Sequence, residues 1–389
     1  MQIFSFIKKI LFDLYDRLHI LKKQNEEIKK FNDQRRKKIY NSISLSDKQK
    51  SLIDNLYKKN YEAGIPYTWH KHYTAFTGKF DQLYFPELLF IPEFERFENQ
   101  FAEYANVFAD KNVTEQLAKS INIKTPKTII HCIKGLFFDN DYNQLSLIEA
   151  SKRLTNIGKV FIKPTVNSSS GRDCLICNFI GEVDSTTGKK IVEVLKTLGN
   201  DYVIQELIKC SDSIRKIYSE SVNTFRIITY RWKEELHNVP IIMRIGRNGN
   251  YLDNAHAGGI FIAIDEDGKL HEKAFTEFND QFARHPDSEI EFKDYKIDHF
   301  DKVIKSAYKM HSVMSQIGCI NWDFTIDNNE EPVLIEANTL GGSIWLCQMA
   351  HGKGPFGELT PEILQWLRLM KNTPKSKRDK YAFGKMNNE

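Results

Sequence analysis

At 389 residues the chain can bury a large core and should divide into two or three subdomains, since single cores stop growing near ~250–300 residues. An apolar share of 41% and a charged share of 27% are those of an ordinary globular protein, and 55 basic against 51 acidic residues leave only +4, which excludes nucleic acid as the main partner. No uninterrupted apolar run approaches the ~20 residues that span a bilayer. Six cysteines, scattered mostly in apolar runs, suit buried thiols in a reducing compartment, so the cytoplasm is the expected location. Cys174 and Cys177 have CxxC spacing, but without a second ligand pair they read as strand residues pointing to opposite faces.

Ile3, Phe6, Ile7, Ile10, Leu11, Leu14, Leu18 and Leu21 recur at helical spacing and predict an amphipathic helix over 3–21, followed by a basic run from Lys22 to Lys38. Packing on the protein's own body or on a second subunit is the favoured fate of this segment, and contact of residues 1–40 with an anionic membrane surface is the other. Ser46 with Gln49 reads as a capping box that opens a helix reaching about Asn60. The aromatic and histidine-rich stretch Tyr67 to Tyr73 is expected to fasten an N-terminal layer to the core, with a pocket wall as the alternative. A helix over 94–107, another over 114–120 and a strand at Thr128–Ile133 follow.

The strand over 158–164 ends in Lys163 and leads into a loop, Asn167 to Asp173, rich in serine and glycine. Small residues between two strands can cradle phosphate oxygens with backbone N–H groups, and Lys163 adds a point charge for the same phosphates. After a helix over 189–198, the run Tyr202–Ile208 puts Gln205, Glu206, Leu207 and Ile208 where backbone could read an adenine edge and side chains could cover its face. Arg226, Arg244 and Arg247 surround the Gly258-Gly259 turn and suit recognition of a carboxylate or a transferring phosphate. A long helix over 297–314 precedes two short strands, 320–326 and 333–338, joined by an Asp-Asn-Asn turn. Alternation puts Glu336 and Asn338 on one face, and pairing brings Asp323 onto it, a set of hard oxygen donors suited to Mg²⁺. Residues 371–389 read as a polar, partly disordered tail.

The order strand lysine, Ser/Gly loop, Gln-Glu hinge, arginine strands and Asp…Glu-x-Asn resembles the ATP-grasp superfamily. Trp69-His70, Asp110-Lys111, the run 221–226, Asp253-Asn254 with Gly258-Gly259, Trp322-Asp323, Glu336-Ala337-Asn338 and Gly354-Pro355 look more narrowly like the sugar-transfer-associated ATP-grasp family, from about residue 45 to 370. The resemblance implies an α+β ATP-grasp fold, two α+β subdomains clasping ATP, with an additional mainly helical N-terminal region. The boundaries it suggests are 1–45, 46–110, 111–212 for the lid subdomain, 213–370 for the metal-bearing subdomain, and 371–389. Lys163 and Lys111 would face the phosphates, Ser168, Ser169, Ser170 and Gly171 would close over them, and Gln205 to Ile208 with Asn223 would complete the nucleotide site. Asp323, Glu336 and Asn338 would hold Mg²⁺, Arg226 and Arg244 would steady the γ-phosphoryl group or the substrate carboxylate, and His256 is a candidate general base. The implied reaction is carboxylate–amine ligation through an acyl phosphate, on a uronic or other sugar acid and an amine, in surface polysaccharide biosynthesis or modification. A kinase acting on a sugar hydroxyl and a silent nucleotide-binding partner of a glycosyltransferase are the rivals. A homo-oligomer and a station at the inner face of the membrane are compatible with the same reading.

Overall fold

The basic run after Leu21 does not interrupt the first helix. In the computed structural model, which describes residues 2–100, 102, 105–166 and 172–386, helix α1 spans Gln2–Phe31. One face of it finds a partner along much of this length: Asp16, Ile20, Glu27 and Phe31, at helical spacing, are buried against the body of the protein. Asp16 accepts from Arg378 at 2.8 Å and also from Arg96. Helix α2 (Gln34–Asn41) follows, and α3 (Asp47–Tyr61) opens with the predicted capping box, Gln49 N to Ser46 Oγ at 3.2 Å and Ser46 N to Gln49 Oε1 at 2.8 Å. Helix α4 (Thr68–Thr77) buries Trp69, His70, His72 and Tyr73, so the aromatic stretch does fasten the N-terminal layer. The expected helix over 94–107 is broken: Phe90–Glu95 form a π-helical turn around Pro92, which has no N–H for the regular ladder, before the short helices Arg96–Asn99 and Ala105–Phe108.

Among the described residues, fifteen strands form two sheets. The first sheet holds β1 (Thr128–Ile133), β2 (Leu136–Phe138), β3 (Gln144–Leu145), β4 (Gly158–Pro164), β5 (Leu175–Ile180), β6 (Val183–Asp184) and β7 (Tyr202–Glu206) in the order β3-β2-β1-β7-β4-β5-β6. The second holds β8 (Thr224–Trp232), β9 (Glu235–Asn238), β10 (Ile242–Ile245), β11 (Ile260–Ile264), β12 (Leu270–Phe275), β13 (Gln281–Phe282), β14 (Cys319–Ile326) and β15 (Pro332–Asn338). Its order is β13-β12-β11-β10-β8-β14-β15, with β9 paired to β8, and every pairing in both sheets is antiparallel.

Period-two alternation divides the second sheet into two faces. Phe225, Ile227, Ile320, Trp322 and Phe324 pack on one side, with Val303, Ala307 and Met310 of the helix Phe300–Val313. Ile228, Tyr230, Trp232 and Cys319 point to the other, where Phe31, Ile53, Trp69, Phe94 and Trp366 cover them. Arg226, Arg244 and Asp323 belong by parity to this second face, beyond the N-terminal layer. Residues 373–386 are not a loose tail. Their 3₁₀ turns Lys375–Lys377 and Asp379–Gly384 dock on the body, with Arg378 on Asp16 and Trp366 Nε1 donating to Tyr381 O at 2.8 Å. Among the described residues no helix is long and apolar enough to cross a membrane.

Candidate functional site

A cleft of about 1180 Å³ lies between the two sheets, and most of the predicted site residues line it. Pairing with β7 and β5 fixes β4, and Lys163 near its end is only 5% exposed. Its Nζ reaches across the cleft to Ile335 O on β15, 3.3 Å away. Lys111 begins the helix Lys111–Ser120, capped by the Asp110 side chain on Asn112 N, and its Nζ lies 2.9 Å from Glu336 Oε1. Burial, and then repulsion from Lys111, push Lys163 down to about 8. Two buried ammonium groups held this close are poised for an anion carrying several charges. Gln205, Glu206, Leu207 and Ile208 line the same cleft, although the Gln205 amide is turned to Thr128 Oγ1 at 3.0 Å and Glu206 pairs with Lys127 at 2.7 Å. Cys174 also lines it, while Cys177 sits in the core of the first sheet.

The opposite wall is the predicted hairpin. Asp327 closes it by accepting from Asn329 N and Glu331 N at 2.9 and 3.0 Å. Register places Asp323 opposite Glu336 and Asn321 opposite Asn338, with a bulge between Asp323 and Phe324. Arg226, cross-strand neighbour of Asp323 on β8, grips it with Nε to Oδ1 at 2.6 Å and Nη2 to Oδ2 at 3.0 Å, and Arg244 Nη2 adds 3.1 Å to Oδ2. Burial alone would raise the Asp323 carboxyl, but the two guanidinium groups outweigh it and hold it below the usual range. Asp253, bonded to Thr224 N at 3.0 Å, is pushed up by burial against the pull of Arg244. Asp323, Glu336 and Asn338 offer oxygen or amide donors from neighbouring positions on the hairpin, a donor set that suits Mg²⁺, with Asp323 now paired to Arg226 and Arg244 and Glu336 to Lys111.

Two predicted residues fall elsewhere. Asn223 is wholly buried behind the wall, its amide bonded to Tyr218 O, Ser221 Oγ and Gly246 N, so it braces the strand entry and does not line the cleft. Arg247 donates to Gly258 O at 2.6 Å and steadies the Gly-Gly turn from outside. Ser168, Ser169, Ser170 and Gly171 lie outside the described residues.

His256 does line the cleft, with a partner the sequence did not suggest. Its Nδ1 lies 2.5 Å from Glu277 Oε2, the buried Glu277 also takes the Arg36 guanidinium, and Arg36 stacks 4.6 Å from the centre of the Trp345 ring. An Nδ1–H donated to Glu277 leaves Nε2 with its lone pair. Burial, with Arg36, Lys30 and Arg226 adding to it, lowers His256, against the pull of the Glu277 carboxylate beside its Nδ1. Nothing in the basic run separates Arg36 from Arg35 or Lys37, and only packing reveals that it turns inward while Arg35 stays exposed.

No curated protein sequence matches the chain. Among solved structures it is similar to D-alanyl-alanine synthetase A from Vibrio cholerae (10% identity, TM-score 0.41, covering 67% of this chain and 66% of that one). It is also similar to D-alanine–D-alanine ligase from Bacillus anthracis (16%, TM-score 0.36, 68% and 66%). A third is N5-carboxyaminoimidazole synthetase from Staphylococcus aureus complexed with ADP (13%, TM-score 0.36, 61% and 46%), of which the chain spans about half the length. The model of the sugar-transfer-associated ATP-grasp family matches residues 90–362, well over half the chain and the whole of both cleft walls apart from the Lys30 and Arg36 edge, and this protein belongs to that family.

Proposed function

We propose that the protein is an ATP- and Mg²⁺-dependent carboxylate–amine ligase that works through an acyl phosphate, with a uronic or other sugar acid as the acid substrate, in surface polysaccharide biosynthesis or modification. One observation carries the reading: Lys163 of the first sheet and Lys111, at the head of a helix packed on the second sheet's cluster, are both buried and meet a carboxylate pair and two arginines in a single cleft. Lys111 and Lys163 bind and orient the phosphates, while the Gln205–Ile208 backbone takes the adenine edge. Asp323, Glu336 and Asn338 would hold Mg²⁺, which when bound neutralises charge on the phosphoryl oxygens.

Arg226 and Arg244 orient the acid. Its carboxylate oxygen attacks the γ-phosphorus, the bond to the β-γ bridging oxygen breaks, and ADP leaves. The amine then attacks the acyl carbon and phosphate departs. His256 Nε2 takes the proton the amine loses, with Glu277 fixing the ring and stabilising the imidazolium that forms. Closure of Ser168 to Gly171 over the triphosphate would keep water from the mixed anhydride.

The test is ATP turnover with Mg²⁺ over a panel of uronic acids, nucleotide sugars and amino acids, with ADP, phosphate and product mass read together. ADP and phosphate in equal amounts, with a product that requires both acid and amine, is the expected result. ADP with a product heavier by one phosphate would replace the ligase with a kinase. ATP binding without turnover of any panel member, together with unchanged biological output from Glu336→Gln, would leave a nucleotide-binding partner of another enzyme.

A further inference from the structure

Among its described side chains, helix α1 buries one side and exposes a row of large apolar residues on the other. Asp16, Ile20, Glu27 and Phe31 are pinned to the body, and Asp16 sits between Arg96 and Arg378, which fixes how the helix lies. On the outward side stand Leu11, Leu14, Tyr15, Leu18 and Leu21, each more than half exposed, with Phe12 on the flank at 52%. The spacing 11, 14, 18, 21 makes one stripe along a helix, roughly 15 Å long at 1.5 Å per residue. Large apolar side chains scattered singly on a surface need no explanation, but a continuous row of them marks a contact.

The surroundings of the stripe select the partner. Arg17 and Lys22 are exposed on the same helix. The 3₁₀ turns at the C-terminal end pack on the pinned side of the helix, with Lys375 N donating to Asp13 Oδ1 at 2.9 Å, so the basic rim of the stripe is Arg17 on one flank and Lys22 on the other. The acids nearby are mostly committed: Asp16 to two arginines, Asp13 to the Lys375 backbone and Glu26 to Lys23. A leucine stripe rimmed by lysine and arginine matches the boundary between acyl chains and anionic headgroups. A second copy of the chain would instead press these like charges together.

We propose that α1 is an in-plane membrane anchor that lays the Leu11–Leu21 stripe into an anionic lipid surface, with Arg17 and Lys22 resting on the headgroups. The contact uses no residue of the cleft, so the anchor stands whether or not the ligase reading does.

The experiment is cosedimentation of the full chain with vesicles of phosphatidylcholine containing phosphatidylglycerol, against phosphatidylcholine alone, with light scattering of the protein in solution. Binding to the anionic vesicles that weakens with salt is expected. The double variant Leu14→Glu/Leu18→Glu should lower partitioning about tenfold or more, and Arg17→Glu/Lys22→Glu should lower it by a comparable factor of roughly ten. All four side chains are exposed, so both variants should keep the wild-type thermal melt. Protein that stays in the supernatant with anionic vesicles, or a leucine variant that binds like wild type, would overturn the proposal. A dimer in solution that Leu14→Glu/Leu18→Glu splits, with no vesicle binding, would assign the stripe to a second copy instead.

Discussion

Lys163 illustrates how one residue can be right for its ligand and at odds with its own surroundings. Burial and Lys111 hold its ammonium near 8, yet a triphosphate demands the charged form. Bound phosphate must therefore raise its pKa, and ATP binding above pH 8 must draw a proton onto it. The expected outcome is an ATP affinity that is flat below about pH 8 and falls up to about tenfold per pH unit above it, with calorimetric heats that depend on the buffer. Lys163→Met should bind weakly and lose the pH dependence, and an unchanged profile in that variant would put the titration on another group. His256 makes a second case. Glu277 fixes its tautomer, so Glu277→Gln should lower the His256 imidazole pKa further, read from its NMR titration, because a nearby negative charge favours the imidazolium. With substrates in hand, His256→Gln should slow amide formation by about 10²-fold or more while leaving ATP binding intact.

At the scale of elements, the hairpin was legible and its support was not. Alternation with an Asp-rich turn suffices to put Asp323 and Glu336 side by side, because strand parity and register leave few alternatives. The glycine turn beyond β15 depends on distant chain: Gly341 N and Gly342 N both donate to Glu95, at 2.7 and 2.8 Å, from the π-helical turn that sequence periodicity missed. Gly342 has no room for a Cβ, since Asn321 occupies that space. Glu95→Gln would turn an amide donor against one of these N–H groups and leave it unsatisfied, at a cost of about 1–3 kcal/mol of stability in denaturant unfolding. Its pH signature has a definite sign. Burial pushes the Glu95 carboxyl up to about 8 despite the two donors, so the folded state holds a proton that the unfolded state has released. Glu95 thus supports the fold fully below about pH 4.5 and loses that support as pH rises toward 8. Glu95→Gln should flatten this slope, and a slope that stays the same would exclude Glu95 as its source.

Across the whole molecule, the ATP-grasp fold class followed from motif order, whereas the union of the N-terminal layer with the second sheet did not. Basic stretches such as 22–38 look solvated in a linear reading, and only the burial of Phe31 and Arg36 shows them built into the core and the cleft. Ile20, Ile53, Trp69, Tyr230 and Met370 share one apolar cluster, so α1 to α4 and the helix Thr360–Asn372 should unfold with the second sheet. The first sheet has its own cluster, Ile130, Val160, Phe179, Val194 and Ile204 among them, and among the described residues it is tied to its surroundings in the cleft by scattered polar contacts, such as Lys163 Nζ to Ile335 O, Tyr251 Oη to Cys174 O and Thr128 Oγ1 to Glu115. Hydrogen exchange should therefore find residues 128–206 opening as one unit of lower protection than the rest. Adding ATP with Mg²⁺ should protect β4, β7 and the β14–β15 hairpin together, since a ligand held by both walls stabilises their closed arrangement by its differential affinity for it. Protection confined to one wall would mean that the cleft does not close on the nucleotide. Exchange of residues 11–61 independently of β8 and β14 would refute the shared core.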